Sequence, residues 1–369
     1  MALGPGALGH VALSRAGWRG RRVLVTGHTG FKGGWLCTWL DALGAEVTGL
    51  ARPAPDGPSF YAATALGSRM NSRIGDVCDA SAVEDAYAGA RPEVVFHLAA
   101  QALVRRSYRE PLDTVATNVM GTAVVLDAAR RRDTRAVVVV TSDKCYAPRS
   151  DGAPHREEDR LGGHDPYAAS KAAAEIVTAA LRDSFLAPRC GVATARAGNV
   201  IGGGDWGEDR LLPDAVRSIV QDGVMTVRSP DAVRPWQHVL DPLDGYLTLA
   251  ERLLDAPAAW SEAWNFGPSP SPVSVQEVLS TFQRAWPALR WQSGGGGAEA
   301  AVLREQHVLQ VDSSKARARL GWTPRLDTAA AVEAAVAWYR RWREGASCES
   351  LTELTKEQIA WHASLRPAA

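Results

Sequence analysis

A chain of 369 residues is long enough for one large α/β domain or two modest ones, and for a substantial buried core. Its 41 basic and 41 acidic side chains cancel, so no overall field draws it to nucleic acid or an anionic membrane, and any anionic ligand must be captured by local chemistry. Five scattered cysteines (Cys37, Cys78, Cys145, Cys190, Cys348) have no paired spacing, which argues against a disulfide framework or a metal site and for a reducing compartment.

No apolar run approaches the roughly 18 residues of a membrane helix. Residues 1–16 are rich in Gly and Ala, broken by Pro5, and lack a basic start before a long apolar stretch. They read as a loose tail and not as a signal peptide. The expectation is a soluble, cytoplasmic protein with no membrane, nucleic-acid or metal partner.

From residue 22 the pattern alternates. Arg22–Thr26 is a short apolar run ending in glycine, as a buried parallel strand requires. Trp35, Leu36, Trp39, Leu40 and Leu43 recur at helical spacing over 33–43. Strands are expected at 46–50, 72–76, 93–98, 136–141 and 191–196, with helices at 80–89, 112–131 and 167–183 between them. Such alternation predicts βαβ units and a doubly wound parallel Rossmann sheet. After about residue 197 Gly and Pro become frequent, strand signals shorten, and helices are expected at 213–222, 241–254, 274–286 and 327–343. Gly294–Gly297 reads as a flexible turn. The expected division is a dinucleotide-binding unit over 17–197, with 198–369 mainly a smaller ligand lobe, some of whose segments return to the core. In such sheets ligands bind outside the carboxyl ends of the strands.

Gly27-His-Thr-Gly-Phe-Lys-Gly33 follows the first strand and opens the first helix. Glycines so spaced permit a tight turn and a close approach of backbone to a pyrophosphate on the helix N-terminus. Asp76, in Gly75-Asp-Val77 at the end of the third strand, could accept an adenine amino group. His97-Leu-Ala-Ala-Gln101 ends the fourth strand with small residues beside which a cofactor can lie. A carboxylate about 20 residues after the glycines, the usual partner of the NAD ribose, is missing: that stretch reads Leu50-Ala-Arg52. Arg52 and Lys32 would suit a 2′-phosphate, so NADP stays open beside NAD.

Tyr167 and Lys171 form a YxxxK pair on one helix face. Lys171 would hold a ribose and lower the phenol pKa, leaving Tyr167 a general base for a sugar hydroxyl. The fifth strand runs into Thr141-Ser-Asp-Lys-Cys-Tyr146. An enzyme that only moves hydride needs one hydroxyl here, Ser142. An adjacent acid and base, Asp143 and Lys144, are needed only for a further proton transfer.

These motifs, with Gly163-His-Asp-Pro-Tyr-Ala-Ala-Ser-Lys171, Arg196-Ala-Gly-Asn-Val-Ile-Gly-Gly-Gly-Asp-Trp206 and Arg234-Pro-Trp-Gln-His-Val239, resemble the CDP-glucose 4,6-dehydratases. These are extended short-chain dehydrogenase/reductase proteins, and the similarity runs in order from about 17 to 345. Related dTDP-glucose dehydratases carry Asp-Glu in place of Asp143-Lys144. The resemblance implies a redox-neutral cycle on bound NAD. Tyr167 takes the 4-hydroxyl proton, Lys144 the C5 proton, and Asp143 protonates the departing 6-hydroxyl, giving CDP-4-keto-6-deoxyglucose. It implies cofactor contacts from Gly27, Thr29, Gly30, Phe31, Lys32, Gly33 and Arg52, then from Asp76, Val77, Leu98, Ala99, Ala100 and Gln101, and from Thr117, Thr141, Tyr167 and Lys171. Gln101, Ser142, Asn199, Arg210, Leu211, Arg234, Gln237 and His238 are implied for the nucleotide sugar, the two arginines facing its diphosphate. Trp206 and Trp236 are either ligand contacts or core. Another nucleotide-sugar dehydratase, epimerase or reductase on the same scaffold is the alternative. Apolar positions on the helices over 112–131 and 167–183 (Val115, Val119, Ala123, Leu126, Ala172, Ile176, Ala179) lie on faces beyond those the sheet needs, and the resemblance implies a homodimer in which these helices pair into a four-helix bundle.

Overall fold

The computed structural model describes residues 15–268, 273–294 and 309–365. Most of the expected tail, and residues 295–297 of the expected glycine turn, lie outside them.

Seven parallel strands form the central sheet. They are β1 (Arg22–Thr26), β2 (Glu46–Ala51), β3 (Asn71–Ile74), β4 (Val94–His97), β5 (Ala136–Val140), β6 (Gly191–Arg196) and β7 (Ala263–Asn265). Their spatial order is β7-β6-β5-β4-β1-β2-β3. The order reverses between β1 and β4, where a doubly wound sheet opens its ligand crevice. The Rossmann-like α/β fold is therefore as the alternation predicts, with strand bounds within two residues of those expected.

Helices cover both faces: α1 (Phe31–Ala42), α2 (Ala80–Ala90), α3 (Val104–Arg109), α4 (Pro111–Val115), α5 (Gly121–Arg130) and α6 (Pro166–Leu181). A single π turn, Ala116–Met120, joins α4 to α5, so the helix expected at 112–131 is helical throughout but not uniform. The strands bury both faces, and alternate residues part to opposite sides. Val138 and Val140 of β5 join one apolar cluster, which also holds Trp264, Phe282 and Trp338. Val137 and Val139 join another with Leu24, Val95 and Val192. The first cluster runs without a break from the sheet into the C-terminal half.

That half contains α7 (Leu211–Val220), α8 (Leu240–Asp255), α9 (Val275–Ala285), α10 (Thr328–Arg343) and α11 (Cys348–Ser364). Helix α11 and strand β7 were not foreseen. β7 pairs with β6 through Ala263↔Thr194 and Asn265↔Arg196. α11 packs on α1 and α10 and is tied down by His362 Nε2 on Asp241 Oδ1 at 2.8 Å, both fully buried. Small strand pairs complete this half, Val233–Arg234 with Val273–Ser274 and Met225–Val227 with Trp291–Ser293. No described helix is long and apolar enough to cross a membrane.

Under the carboxyl edge of β5 and β6 lies a buried ion pair. Arg196 donates from Nε to Glu175 Oε1 at 2.9 Å and from a terminal nitrogen to Oε2 at 2.8 Å. The other terminal nitrogen donates to the Tyr146 hydroxyl at 2.8 Å and the Glu157 carbonyl at 3.0 Å. Removing one partner of such a pair leaves a bare charge in low dielectric. Arg196→Met is expected to lower unfolding stability by about 3–5 kcal/mol, measured by urea titration; a loss under about 1 kcal/mol would mean that water reaches Glu175.

Candidate active site

A cleft of about 1070 Å³ opens over the carboxyl ends of the strands and between them and the C-terminal half. Its floor is the glycine loop. Gly27 has φ +80, and a Cβ there would stand 2.7 Å from the Ala99 amide nitrogen; a Cβ on Gly33 would stand 2.1 Å from the Gly27 carbonyl oxygen. Gly30 precedes α1 without a side-chain cap, so the first-turn amides remain for an anion. Thr29 Oγ1 donates to the Arg52 carbonyl at 2.9 Å and binds the loop to β2. His28 faces away, buried beside Gly49 and bonded to Ser72 Oγ at 2.7 Å. Burial pushes its pKa down to about 4, with a hydrogen bond to Leu50 opposing, so it is a neutral wedge.

Every residue implied for the cofactor lines this cleft, from the glycine loop through Val77, Leu98, Ala99, Ala100, Gln101 and Thr117 to Thr141. Thr117 sits in the π turn, a distortion common at functional positions. The glycine cradle fits a dinucleotide pyrophosphate. Two expectations change. Arg52 is spanned by carboxylates, its Nε on Asp76 Oδ2 at 2.8 Å and a terminal nitrogen on Asp113 Oδ1 at 2.9 Å. Its charge is thereby matched before any 2′-phosphate is considered. Lys32 interacts with Arg210, Lys171, Asp143 and Asp205, so it belongs to the Lys171 end of the cleft and not beside Arg52; burial pushes its pKa down to about 7.

Tyr167 and Lys171 both lie on α6 and are almost fully buried. Burial pushes the Tyr167 phenol up to about 12, while a hydrogen bond with Ser142 and the Arg210 charge pull it back. The pull expected from Lys171 comes instead from Ser142 and Arg210, and desolvation outweighs it. Lys171 donates from Nζ to the Val140 carbonyl at 3.2 Å. Burial brings it down to about 8, and the Glu175 carboxylate holds it from falling further. Ser142 caps the turn Asp143–Cys145, accepting from the Lys144 amide at 3.2 Å and donating to Asp143 Oδ1 at 2.8 Å. Asp143 is 2% exposed, and its Oδ2 has no hydrogen-bond partner. Lys144 is half-buried on the cleft wall. Tyr167, Ser142, Asp143 and Lys144 thus meet at one end of the cleft.

The C-terminal wall carries Asn199, Arg210, Leu211, Arg234 and Trp236. Arg210 is aimed by Asp205, whose Oδ2 accepts at 2.8 Å. Arg234 bonds the Val233 carbonyl at 2.9 Å. Gln237 and His238 depart from expectation: neither lines the cleft. Gln237 donates its amide to the Gly198 and Phe266 carbonyls at 3.1 and 2.9 Å. His238 is fully buried, edge-on to Trp35, and burial lowers its pKa to about 3. Trp206 is partly buried and packs on Trp342 and Tyr339 against the core. Gln101 lines the cleft, but its amide is engaged with Thr114 and Leu103, so no donor is left over for a ligand. Glu175, Asp205 and Gly198 were missed. A Cβ on Gly198 would stand 1.8 Å from Asp143 Oδ2, so only glycine leaves room for that carboxylate. Glu175, one turn after Lys171, was the most readable of the three.

Residues 23–267 match the model of the NAD dependent epimerase/dehydratase family. The chain is 42% identical over 358 residues to the CDP-glucose 4,6-dehydratase of Salmonella typhimurium, covering 93% of this chain and 96% of that one. It is 31% identical over 330 residues to a dTDP-glucose 4,6-dehydratase of Streptomyces griseus, covering 87% and 94%. Among solved structures, a dTDP-glucose 4,6-dehydratase double mutant from Streptomyces venezuelae with bound NAD superposes with a TM-score of 0.73 at 24% identity, over 89% of this chain and 99% of that one. With the glycine cradle, the YxxxK pair and the sheet order already in place, the chain belongs to the NAD dependent epimerase/dehydratase family.

Proposed function

We propose that the protein is a CDP-glucose 4,6-dehydratase, a lyase that converts CDP-glucose to CDP-4-keto-6-deoxyglucose and water in the cytoplasm. The observation that carries this reading is the Asp143–Lys144 pair at the end of β5, with a partnerless buried oxygen on Asp143 and 42% identity to an enzyme of that name supporting it. An epimerase or reductase needs no acid and base there beyond Ser142, Tyr167 and Lys171.

The glycine loop, Asp76, Thr117 and the Tyr167/Lys171 pair would hold NAD, which when bound supplies a reversible hydride acceptor and makes the cycle redox-neutral. The protein's own groups move the protons. Tyr167, with Ser142 beside it, takes the proton of the sugar 4-hydroxyl. A ketone at C4 acidifies C5, and Lys144 takes that proton. Asp143 delivers a proton to the 6-hydroxyl as it leaves as water. Asn199, Arg210 and Arg234 on the C-terminal wall hold the diphosphate, since paired guanidinium groups match its geometry. In this reading residues 17–197 mainly carry NAD and 198–369 mainly the nucleotide sugar, with β7 and α8 returning to the sheet.

Incubation with CDP-glucose is expected to yield a product lighter by one water in mass spectrometry. An isomer of unchanged mass would instead identify an epimerase. Lys144→Met is expected to abolish deuterium incorporation at C5 from heavy water while leaving oxidation at C4 detectable. Asp143→Asn is expected to permit C5 exchange and slow water loss. Exchange at the parent rate in the Lys144 variant would move the base elsewhere.

Leu112, Val115, Met120 and Ile176 form an exposed apolar face on α4, the π turn and α6. Leu126 and Ala172, counted on that face from the sequence, instead point into the core. The exposed set supports a homodimer through these helices. Light scattering at micromolar concentration is expected to give twice the chain mass, and Ile176→Glu with Leu112→Glu to give monomer.

A further inference from the structure

We propose that Glu175 is the positioning residue of the catalytic pair: its carboxylate holds Lys171 as an ammonium ion and fastens the end of β5 to α6. The inference deepens the reading above and rests on its assignment of Tyr167 and Lys171.

Two consecutive residues at the end of β5 are bound to two consecutive turns of α6. The Val140 carbonyl accepts from Lys171 Nζ at 3.2 Å. The Thr141 hydroxyl donates to Glu175 Oε1. Ser142, Asp143 and Lys144 follow at once, so their placement against Tyr167 depends on both attachments. Glu175 is 4% exposed, and four donors satisfy it: Thr141 and Arg196 Nε on Oε1, Thr194 at 2.6 Å and an Arg196 terminal nitrogen on Oε2. Two of those donors come from the Arg196 guanidinium, so the carboxylate is fixed in place by an ion pair as well as by the two threonines. Its position four residues after Lys171 puts both on one helix face.

The charges around Lys171 make that carboxylate decisive. Burial lowers the ammonium toward about 8, and the Glu175 carboxylate opposes this. Lys32 from the glycine loop repels it, and His97 at the end of β4 lies in its field while itself kept neutral by burial. Tyr167 shares its helix, and Asp143 lies beyond Tyr167. Burial pushes the Cys145 thiol well above its ordinary range, so it stays neutral and supplies no anion near pH 8. That leaves the Glu175 carboxylate as the group that opposes the effect of burial on Lys171. The sign is direct: removing it lowers the Lys171 pKa, and the ammonium is lost from a lower pH upward.

The chain has only five lysines, Lys32, Lys144, Lys171, Lys315 and Lys356, so ¹³Cε-lysine NMR can follow Lys171, assigned from the Lys171→Arg spectrum. In the parent protein its midpoint is expected near 8 or above; a midpoint below about 7 overturns the proposal. Glu175→Gln with Arg196→Met removes both charges of the pair, a replacement that proteins tolerate better than loss of one. In that variant the midpoint is expected to fall by about one unit or more. The basic limb of the kcat profile should move down with it, with kcat at pH 8 reduced about fivefold. A folded double variant, by circular dichroism, with an unmoved Lys171 midpoint also overturns it. If the midpoint moves as stated but CDP-glucose is not converted by the parent, the assigned substrate fails and the role of Glu175 stands.

Discussion

The Arg196–Glu175 pair is the constraint on which the rest of this molecule hangs. Two charges at 4% and 3% side-chain exposure cost several kcal/mol each to desolvate, and only close geometry with all remaining sites hydrogen-bonded offsets that. Here the remaining sites are taken by neighbours from different elements. Thr141 follows β5, Thr194 lies in β6, and Tyr146 follows the turn Asp143–Cys145. Tyr146 in turn donates to Asn265 Oδ1 in β7 at 2.7 Å, and Asn265 donates to the carbonyls of His155 and Asp312. One polar chain therefore passes from α6 through three strands to the last third of the sequence. A half-satisfied network of this kind costs more than an apolar core, so each member fixes the position of the next.

Above that network the site is shaped as much by missing side chains as by those present. Gly27 and Gly33 let loop and strand end close on each other, and Gly198 lets the β6 end approach Asp143. Any Cβ at these three places would meet backbone or the Asp143 carboxylate at 2.7 Å or less. The same closeness desolvates Tyr167, Lys171 and Lys32, which is why their pKa values depart from ordinary ones.

Local pattern carried the sheet and most of the site. Ala136–Val140 is apolar at every position because it is buried on both faces, and the glycine spacing, the YxxxK pair and Asp143-Lys144 are contiguous signals. What escaped depends on distant partners. β7 is only three residues, Ala-Trp-Asn, and is a strand because β6 and the Glu157 carboxylate, which accepts from the Asn265 amide at 2.8 Å, receive it. Gln237 looked like a ligand contact, but the carbonyls that occupy its amide lie 39 and 29 residues away in sequence. His238 was misread for the same reason, since nothing local indicates the buried Trp35 edge. Likewise the carboxylates that match Arg52 come from β3's end and from α4, so the sequence around Arg52 alone left its role open.

The distribution of cations then separates fixed charge from exchangeable protons. Arginine keeps its charge at any relevant pH, whereas lysine loses its proton when buried. Of the chain's lysines, Lys32, Lys144 and Lys171 all line the cleft, and burial brings Lys32 down to about 7 and Lys171 to about 8. The arginines of the same cleft are instead matched or aimed by carboxylates, Arg52 by Asp76 and Asp113, Arg210 by Asp205. A binding groove for anions would be served by arginine alone. Lysines drawn toward neutrality beside a tyrosine and an aspartate are what a site needs when protons, and not only charges, must be handed over, and for Lys171 the Glu175 carboxylate beneath limits that drift.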